Sequence, residues 1–522
     1  MVKPRSLKFR QSIIFFCLLV FVVFGCFACA RFNNKLTSKD GYISTIIVPH
    51  HDLVADKRSG TFKKIASRTQ GRRIVLIAPN HYNSGTANIQ TRSQIFTTQF
   101  RDIKVDKTLL NTALKNGVQE NQPTFETEHG IKALLPDIAK YYPDNPILPL
   151  VIKQDAQQSE LTNLLTALNK ECQDCLLITS ADFSHYQPYL LSKLHDGLTI
   201  RGLKNLDSNL LDAKAELEPM HHVWMAVEWA KLHDTKRFNL DQHTFSHDVV
   251  KDYYAEGTTH IMGWYERGQQ EMPDPGVSFA ITGPLNFKEG NSEFKQKLPK
   301  IFDQLGGRVL WGTDLVVGNI ATDNQTNKNI LSKTLKQLHF TNIKTEDSIL
   351  ANNINAANLS EVTQVGGQNQ KITLISGLAK NITEEKIKTH NANNFIIYVD
   401  WAGISNEEQK RYAQNWIDYG ADLVVGIKGE SNIKVEQYKN RLIAYSLGDF
   451  VSSKNPEYES IALVGEFTDK AIKLYPSLIK HQNYKPILAR SKEADQEALK
   501  YFKDFKEFNK GEKAGVLIEL NK

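Results

Sequence analysis

From Tyr42 onward, short apolar runs alternate with stretches of helical periodicity. Apolar runs at 44–49, 73–78, 147–152, 175–180 and 259–264 predict strands. Between them, 107–115, 130–141 and 160–170 carry apolar residues at helical spacing. Strands alternating with helices predict an α/β fold with a mixed sheet flanked by helices. Residues 266–276, ERGQQEMPDPG, hold two prolines and two glycines and read as a linker. A second α/β series follows, with strands expected at 277–282, 372–376, 395–399, 422–426, 441–446 and 461–468. The Asn-rich stretch 319–329 reads as a loop, and a charged helical stretch at 491–513 precedes a last strand at 515–520. The organisation expected is a segment 1–30, a first α/β domain over 42–265, a linker over 266–276 and a second α/β domain over 277–522.

Composition narrows the function classes. The chain has 522 residues, 41% of them hydrophobic and 23% charged, which excludes wholesale disorder, collagen and coiled coil. The net charge of +6 is modest for this length, and no basic stripe accompanies it, so nucleic acid is not an expected partner.

The amino terminus is different in kind. Lys3, Arg5, Lys8 and Arg10 precede an uncharged apolar run over 13–30. Eighteen helical residues cover about 27 Å, close to a bilayer core. The basic flank stays in the cytoplasm by the positive-inside rule, and the rest of the chain lies beyond the membrane. Three readings share that placement: a transmembrane anchor, a cleaved signal, and lipidation at Cys26 within the loose lipobox Val23-Phe24-Gly25-Cys26. Cys172 and Cys175 form a CxxC that precedes a strand and has no second pair for zinc, so an exported disulfide is expected.

Twelve of the fifteen histidines lie between His50 and His260. Strand ends carry several of them: Val48-Pro49-His50-His51, Ala78-Pro79-Asn80-His81 and Ser180-Ala181-Asp182-Phe183-Ser184-His185. Glu126-Thr127-Glu128-His129 sits just before a helix. Active groups of open α/β sheets gather at the carboxyl ends of strands. A lone histidine there is ordinarily a surface or hydrogen-bonding residue. Histidines on several strand ends, joined by a carboxylate, suit one Fe, Cu or Zn ion with open positions. His195, His221, His222 and His233 fall on helical patterns and are expected to be structural.

The segments VPHHDLV, IAPNHYNSG, TEHGIKALLPDI, ILPLVI and TSADFSHY, in that order, resemble the Memo-like family, also called AmmeMemoRadiSam system protein B. The resemblance covers about 42–265 and implies a fold like the catalytic subunit of class III extradiol dioxygenases. It implies one transition metal ion held by His50, His81, Asp182 and His185, with a last ligand at His247 or, alternatively, His260. His51 beside His50 leaves the first ligand open between the two. His129 and His185 are implied as acid–base groups, and the implied activity is redox or dioxygenase-like chemistry at the metal. The family is mostly cytosolic, so an exported copy weakens any inference of a shared radical-SAM partner.

The second half resembles CapA-type proteins of poly-gamma-glutamate capsule synthesis, which have a calcineurin-like metallophosphatase fold. The matching stretches are Asn415 to Gly426 (NWIDYGADLVVG), Ile443 to Val451 (IAYSLGDFV) and Ser348 to Asn353 (SILANN). The family's metal ligands are replaced: Gly283-Pro284, Asn353-Ile354, Asp400-Trp401-Ala402-Gly403 and Gly426-Ile427-Lys428-Gly429-Glu430 stand in their places. Two clustered cations need several His and Asp groups, and Lys428 puts a like charge there, so this domain is expected to be a pseudoenzyme. The expected partners are a membrane, through 1–30, and a small-molecule or cell-envelope polymer ligand. Two other readings stand beside the metal enzyme: a catalytically silent cell-envelope scaffold, and a capsule-related protein.

Overall fold

The computed structural model describes residues 41–522 except 217–220, 270–275, 303–309, 311, 324–326, 339–340, 346–349, 351–352, 354–355, 359–360, 367–370, 391–393, 428–431, 509–514 and 521–522. The expected anchor over 1–30 therefore lies outside the described residues, as do most of the linker, Asn352, Ile354, Lys428 and Glu430. Among the described residues no helix is long and apolar enough to cross a membrane.

The first domain is built on β1 (Ile43–Val48), α1 (Ala55–Thr69), β2 (Ile74–Pro79), β3 (Ile89–Thr91), α2 (Lys107–Lys115), α3 (His129–Lys132), α4 (Leu135–Tyr141), β4 (Ile147–Ile152), α5 (Gln158–Glu171), β5 (Leu176–Ser180), β6 (His185–Gln187), α6 (Tyr189–Asn205), α7 (His221–Leu232), β7 (Arg237–Phe245) and β8 (Gly257–Glu266). The sheet runs β7-β8-β1-β5-β2-β4-β3, with a two-residue strand at Gln119–Glu120 on its edge and β6 on β8. The central strands β1, β5, β2 and β4 are parallel, and β8 closes the sheet antiparallel to β1.

The apolar runs are continuous because both faces are covered. Ile47, Val75, Ile77, Leu148, Leu150 and Leu177 pack against α2, α5 and α7. Their neighbours Ile46, Val48, Leu76, Ala78, Val151 and Ile178 pack against α1 and α4. Cys172 and Cys175 form the expected disulfide between α5 and β5. The helix expected over 130–141 is two helices, because Pro136 starts the second and cannot donate to the first.

The second domain contains β9 (Val277–Ile281), β10 (Leu315–Ala321), β11 (Lys371–Leu378), β12 (Phe395–Asp400), α8 (Asn406–Asp418), β13 (Leu423–Ile427), β14 (Arg441–Ser446), β15 (Glu459–Phe467), β16 (Ala471–Gln482), α9 (Lys492–Lys500) and β17 (Gly515–Glu519). Strands β10-β9-β15-β16-β17 run through one sheet and β11-β12-β13-β14 through another. Phe279, Val317 and Leu463 of the first share one buried cluster with Leu374, Ile396 and Val425 of the second, so the two sheets stack face to face. Strand β10 occupies part of the stretch read as a loop, and β16 is a twelve-residue strand that the sequence reading omits.

Asp106 anchors the first domain's edge. Its carboxylate accepts the N–H groups of Thr108 and Leu109 at 2.9 Å each, capping α2, and pairs with Arg73 Nε at 2.7 Å. Burial alone would raise its pKa, but Arg73 and the two N–H groups outweigh this and hold it below the ordinary value. A depressed carboxylate adds stability that is complete above the unfolded pKa and disappears as pH falls through the folded one. Asp106→Asn is therefore expected to cost about 1–2 kcal/mol at pH 7. Urea unfolding checks this, and the gap between wild type and variant should close as the pH falls through the lowered pKa of Asp106.

Candidate metal centre

Parallel pairing places Val48 beside Ser180 and Ile77 beside Thr179, so β1, β5 and β2 end at one edge. His50 follows β1, Asp182 follows β5 and His81 follows β2. His129 opens α3 beside them. One ring nitrogen from each of His50, His81 and His129 lies within 4.8 Å of the others, so this group could hold a metal ion. Ring centroids are 4.8 Å apart for His50 and His81, 5.1 Å for His50 and His129, and 3.9 Å for His81 and His129.

The surrounding hydrogen bonds decide which nitrogen of each ring is available. Ser180 Oγ lies 2.6 Å from the carbonyl of Gly130, which can only accept. The single hydroxyl hydrogen is thus used, and Ser180 accepts from His50 Nδ1 at 3.0 Å. His50 thus carries a hydrogen on Nδ1, which leaves Nε2 as its candidate ligand atom. That nitrogen faces Asp182 Oδ2 at 3.3 Å, while Asp182 Oδ1 accepts the His50 backbone N–H at 3.2 Å. Two electron-pair donors directed at one another call for a proton or a cation between them, and this donor set fits a metal ion.

His81 is fixed in the same way. Its Nδ1 donates to Glu128 Oε1 at 2.6 Å, and its backbone N–H donates to Glu128 Oε2 at 3.0 Å. Glu128 is fully buried and also caps α3 through the Gly130 N–H at 2.9 Å. Burial raises its pKa, but the bond and charge of His81 and the two backbone N–H groups outweigh that and lower it. His129 is half-exposed, with Nδ1 3.7 Å from the same carboxylate. Arg58 braces the turn before His50, donating to the Pro49 and Ala133 carbonyls and to Asp137 at 3.2, 2.8 and 2.8 Å.

The other expected site residues divide. Between His50 and His51 it is His50 that joins the group; the Nδ1 of His51 accepts the Leu53 N–H. Asp182 sits against His50, and His185 stands on the wall of the same cleft, which has a volume of about 900 Å³. His129, expected to move protons, is one of the three converging imidazoles. The structure does not bring His247 to them. Its Nε2 lies 3.0 and 3.2 Å from the Gln187 and Ala255 carbonyls, and its ring fills the space where Gly257 lacks a Cβ. The alternative, His260, is buried beside His51, with ring centroids 5.1 Å apart. Burial, then the neighbouring His51, His185 and His50, push its pKa down to about 3. The sequence reading missed Ser180 and gave Glu128 no role; the signal for Glu128 was an acid at the cap position of the helix that His129 opens.

Residues 28–254 match the family model of the Memo-like protein, and residues 311–454 match that of the bacterial capsule synthesis protein PGA_cap. The chain joins a Memo-like domain to a PGA_cap domain. A MEMO1 family protein of Pyrobaculum arsenaticum is 26% identical over 168 residues, 31% of this chain and 60% of that protein. One from Methanococcus maripaludis is 26% identical over 258 residues, 44% of this chain and 87% of that protein. The chain spans about half to three fifths of the length of the first four relatives it matches. Among solved structures, an uncharacterized Escherichia coli K12 protein, JW3007, aligns with 13% identity over 43% of this chain and all of that one, at a TM-score of 0.31. Vps29 of Chaetomium thermophilum aligns with 10% identity over 41% of this chain and 94% of that one, at 0.23.

A carboxylate that fixes the tautomer of a metal-binding histidine typically governs affinity by about 10–100-fold. In the Memo-like domain, Glu128→Gln is expected to weaken zinc or cobalt binding by that factor while leaving the fold intact. Competition titration against a chromophoric chelator, with circular dichroism as the control, measures both.

Proposed function

We propose that the Memo-like domain is a mononuclear metal centre held by His50, His81 and His129, and that it performs redox or dioxygenase-like chemistry on a small molecule bound in the cleft. The convergence of the three imidazole nitrogens at one strand edge carries this reading. Such a donor set suits Fe, Cu or Zn, and the bound ion would supply Lewis acidity or electron transfer. The chain's own residues do the rest. Ser180 and Glu128 hold His50 and His81 with Nε2 presented, and Asp182 offers a further oxygen beside His50. His185, on the cleft wall, moves a proton to or from the bound molecule.

The PGA_cap domain, in this reading, is catalytically silent. Gly283 and Pro284 follow β9, and Asp400 at the end of β12 is followed by Trp401, which is buried against Trp416 at 5.5 Å between centroids. Lys344 adds a cation there: burial lowers its pKa, and the nearby charge of Asp400 opposes this. The whole protein acts outside the cytoplasm, tethered through 1–30 by helix or lipid, on a small-molecule or cell-envelope polymer ligand. The buried Cys172–Cys175 disulfide supports that compartment.

Metal analysis of the full chain, purified in detergent, tests the centre. About one equivalent of transition metal is expected, falling at least tenfold in His81→Ala plus His129→Ala. A wild-type chain that neither retains nor takes up such an ion would end the reading. For the second domain, no hydrolysis of a nitrophenyl phosphodiester with added manganese is expected; turnover abolished by Asp400→Ala would restore a phosphoesterase role.

A further inference from the structure

A domain without its metal ligands still has a task if the neighbouring site depends on it. The two domains share a helix. α6 belongs by sequence to the Memo-like domain, yet its Leu190, Leu191 and Leu194 lie in one apolar cluster with Ala280, Val316 and Val464 of the second domain. At its far end Arg201 pairs with Asp314 at 2.5 Å, and Asp314 also accepts the N–H and hydroxyl of Ser278 at 2.8 and 3.0 Å. Both charged side chains are largely buried.

Immediately before α6 comes β6, which carries His185 and Tyr186 on the wall of the metal cleft. Tyr186 has φ +59°, a left-handed conformation that a bulky side chain disfavours and that persists where its surroundings over-determine it. Those surroundings come from both domains. Gln187 donates to Glu216 at 3.1 Å, and the other oxygen of Glu216 takes His195 Nδ1 at 2.5 Å. Gly312 of the PGA_cap domain presses on that histidine so closely that a Cβ would stand 2.6 Å from the His195 Cβ. Arg490, which follows β16 in the second domain, pairs with Glu256 at 2.6 Å and reaches the Tyr186 carbonyl at 3.5 Å. Glu256 directly precedes β8, whose Gly257 pairs with Gln187.

We propose that the second domain serves the metal centre in cis as its supporting wall, and that Arg490 is the positioning residue that holds Tyr186 and His185 in place. The inference rests on the metal-centre reading for its consequence, but not for its geometry.

Hydrogen exchange of the metal-free full chain tests the geometry. Arg490→Ala should speed exchange in the peptide spanning 183–190 by about threefold to thirtyfold, and Arg490→Lys should retain most of the protection. Glu256→Gln, which removes the other half of the pair, should act in the same direction and serves if Arg490→Ala does not fold. Azide titration of the cobalt-loaded chain tests the consequence: Arg490→Ala should change azide affinity by a similar factor, with cobalt affinity unchanged and the lysine variant close to wild type. Unaltered exchange in both variants, or exchange altered with azide affinity unmoved, overturns the proposal. Failure of wild type to bind cobalt would instead count against the metal centre, while the exchange arm still decides whether Arg490 holds this segment.

Discussion

The site depends first on the register of three parallel strands. Val48 beside Ser180 and Ile77 beside Thr179 bring the ends of β1, β5 and β2 to one edge. Apolar layers on both faces hold that register, because Ile46 and Ile47 point to opposite helical layers. A slip of one residue would exchange every inward and outward side chain along a strand. It would also move His50, His81 or Asp182 by a full residue spacing, about 3.3 Å, which is enough to dissolve the group. The geometry of the group is therefore as well fixed as the core beneath it.

A second layer of control is polar. Glu128 and Ser180 are fully buried and Arg58 lines the cleft wall, and each ties a histidine-bearing turn to an adjacent element. Their bonds lie in desolvated surroundings, where a satisfied network is rigid and a half-satisfied one is costly. Glu128 is the densest node, since one carboxylate takes the His81 ring, the His81 backbone and the amide at the start of α3. Ring orientation and helix capping are thus the same interaction.

The central strands of the first domain were legible because their apolar runs are uninterrupted and have one meaning; of its helices, those near 107–115 and 160–170 were read as such, and the one at 55–69 was not. β7, RFNLDQHTF, was not: it is an edge strand rich in Asn, Asp, Gln and His, with a bulge between Leu240 and Gln242 that breaks its alternation. β16 was hidden by Pro476. In the structure its 471–474 stretch pairs with β17 and its 479–482 stretch with a short strand at 485–488, so the proline falls in the gap between two partners where no ladder N–H is needed on that side. In the site, strand-end histidines could be read from position alone. The loss of His247 and the promotion of His129 could not, because they depend on which carbonyls and which carboxylate each ring meets after folding.

The shared helix α6 has a consequence for modularity. Part of the second domain's apolar core is supplied from residues 190–194, which precede the 266–276 stretch in sequence. Leu190, Leu191 and Leu194 complete an apolar layer that Phe294, Leu298, Ile301, Leu331 and Leu335 of the second domain also build. The two halves of this chain thus meet through a packed seam, with three leucines and the Arg201 half of the Arg201–Asp314 pair on one helix, and a change on either side of it is felt by both cores.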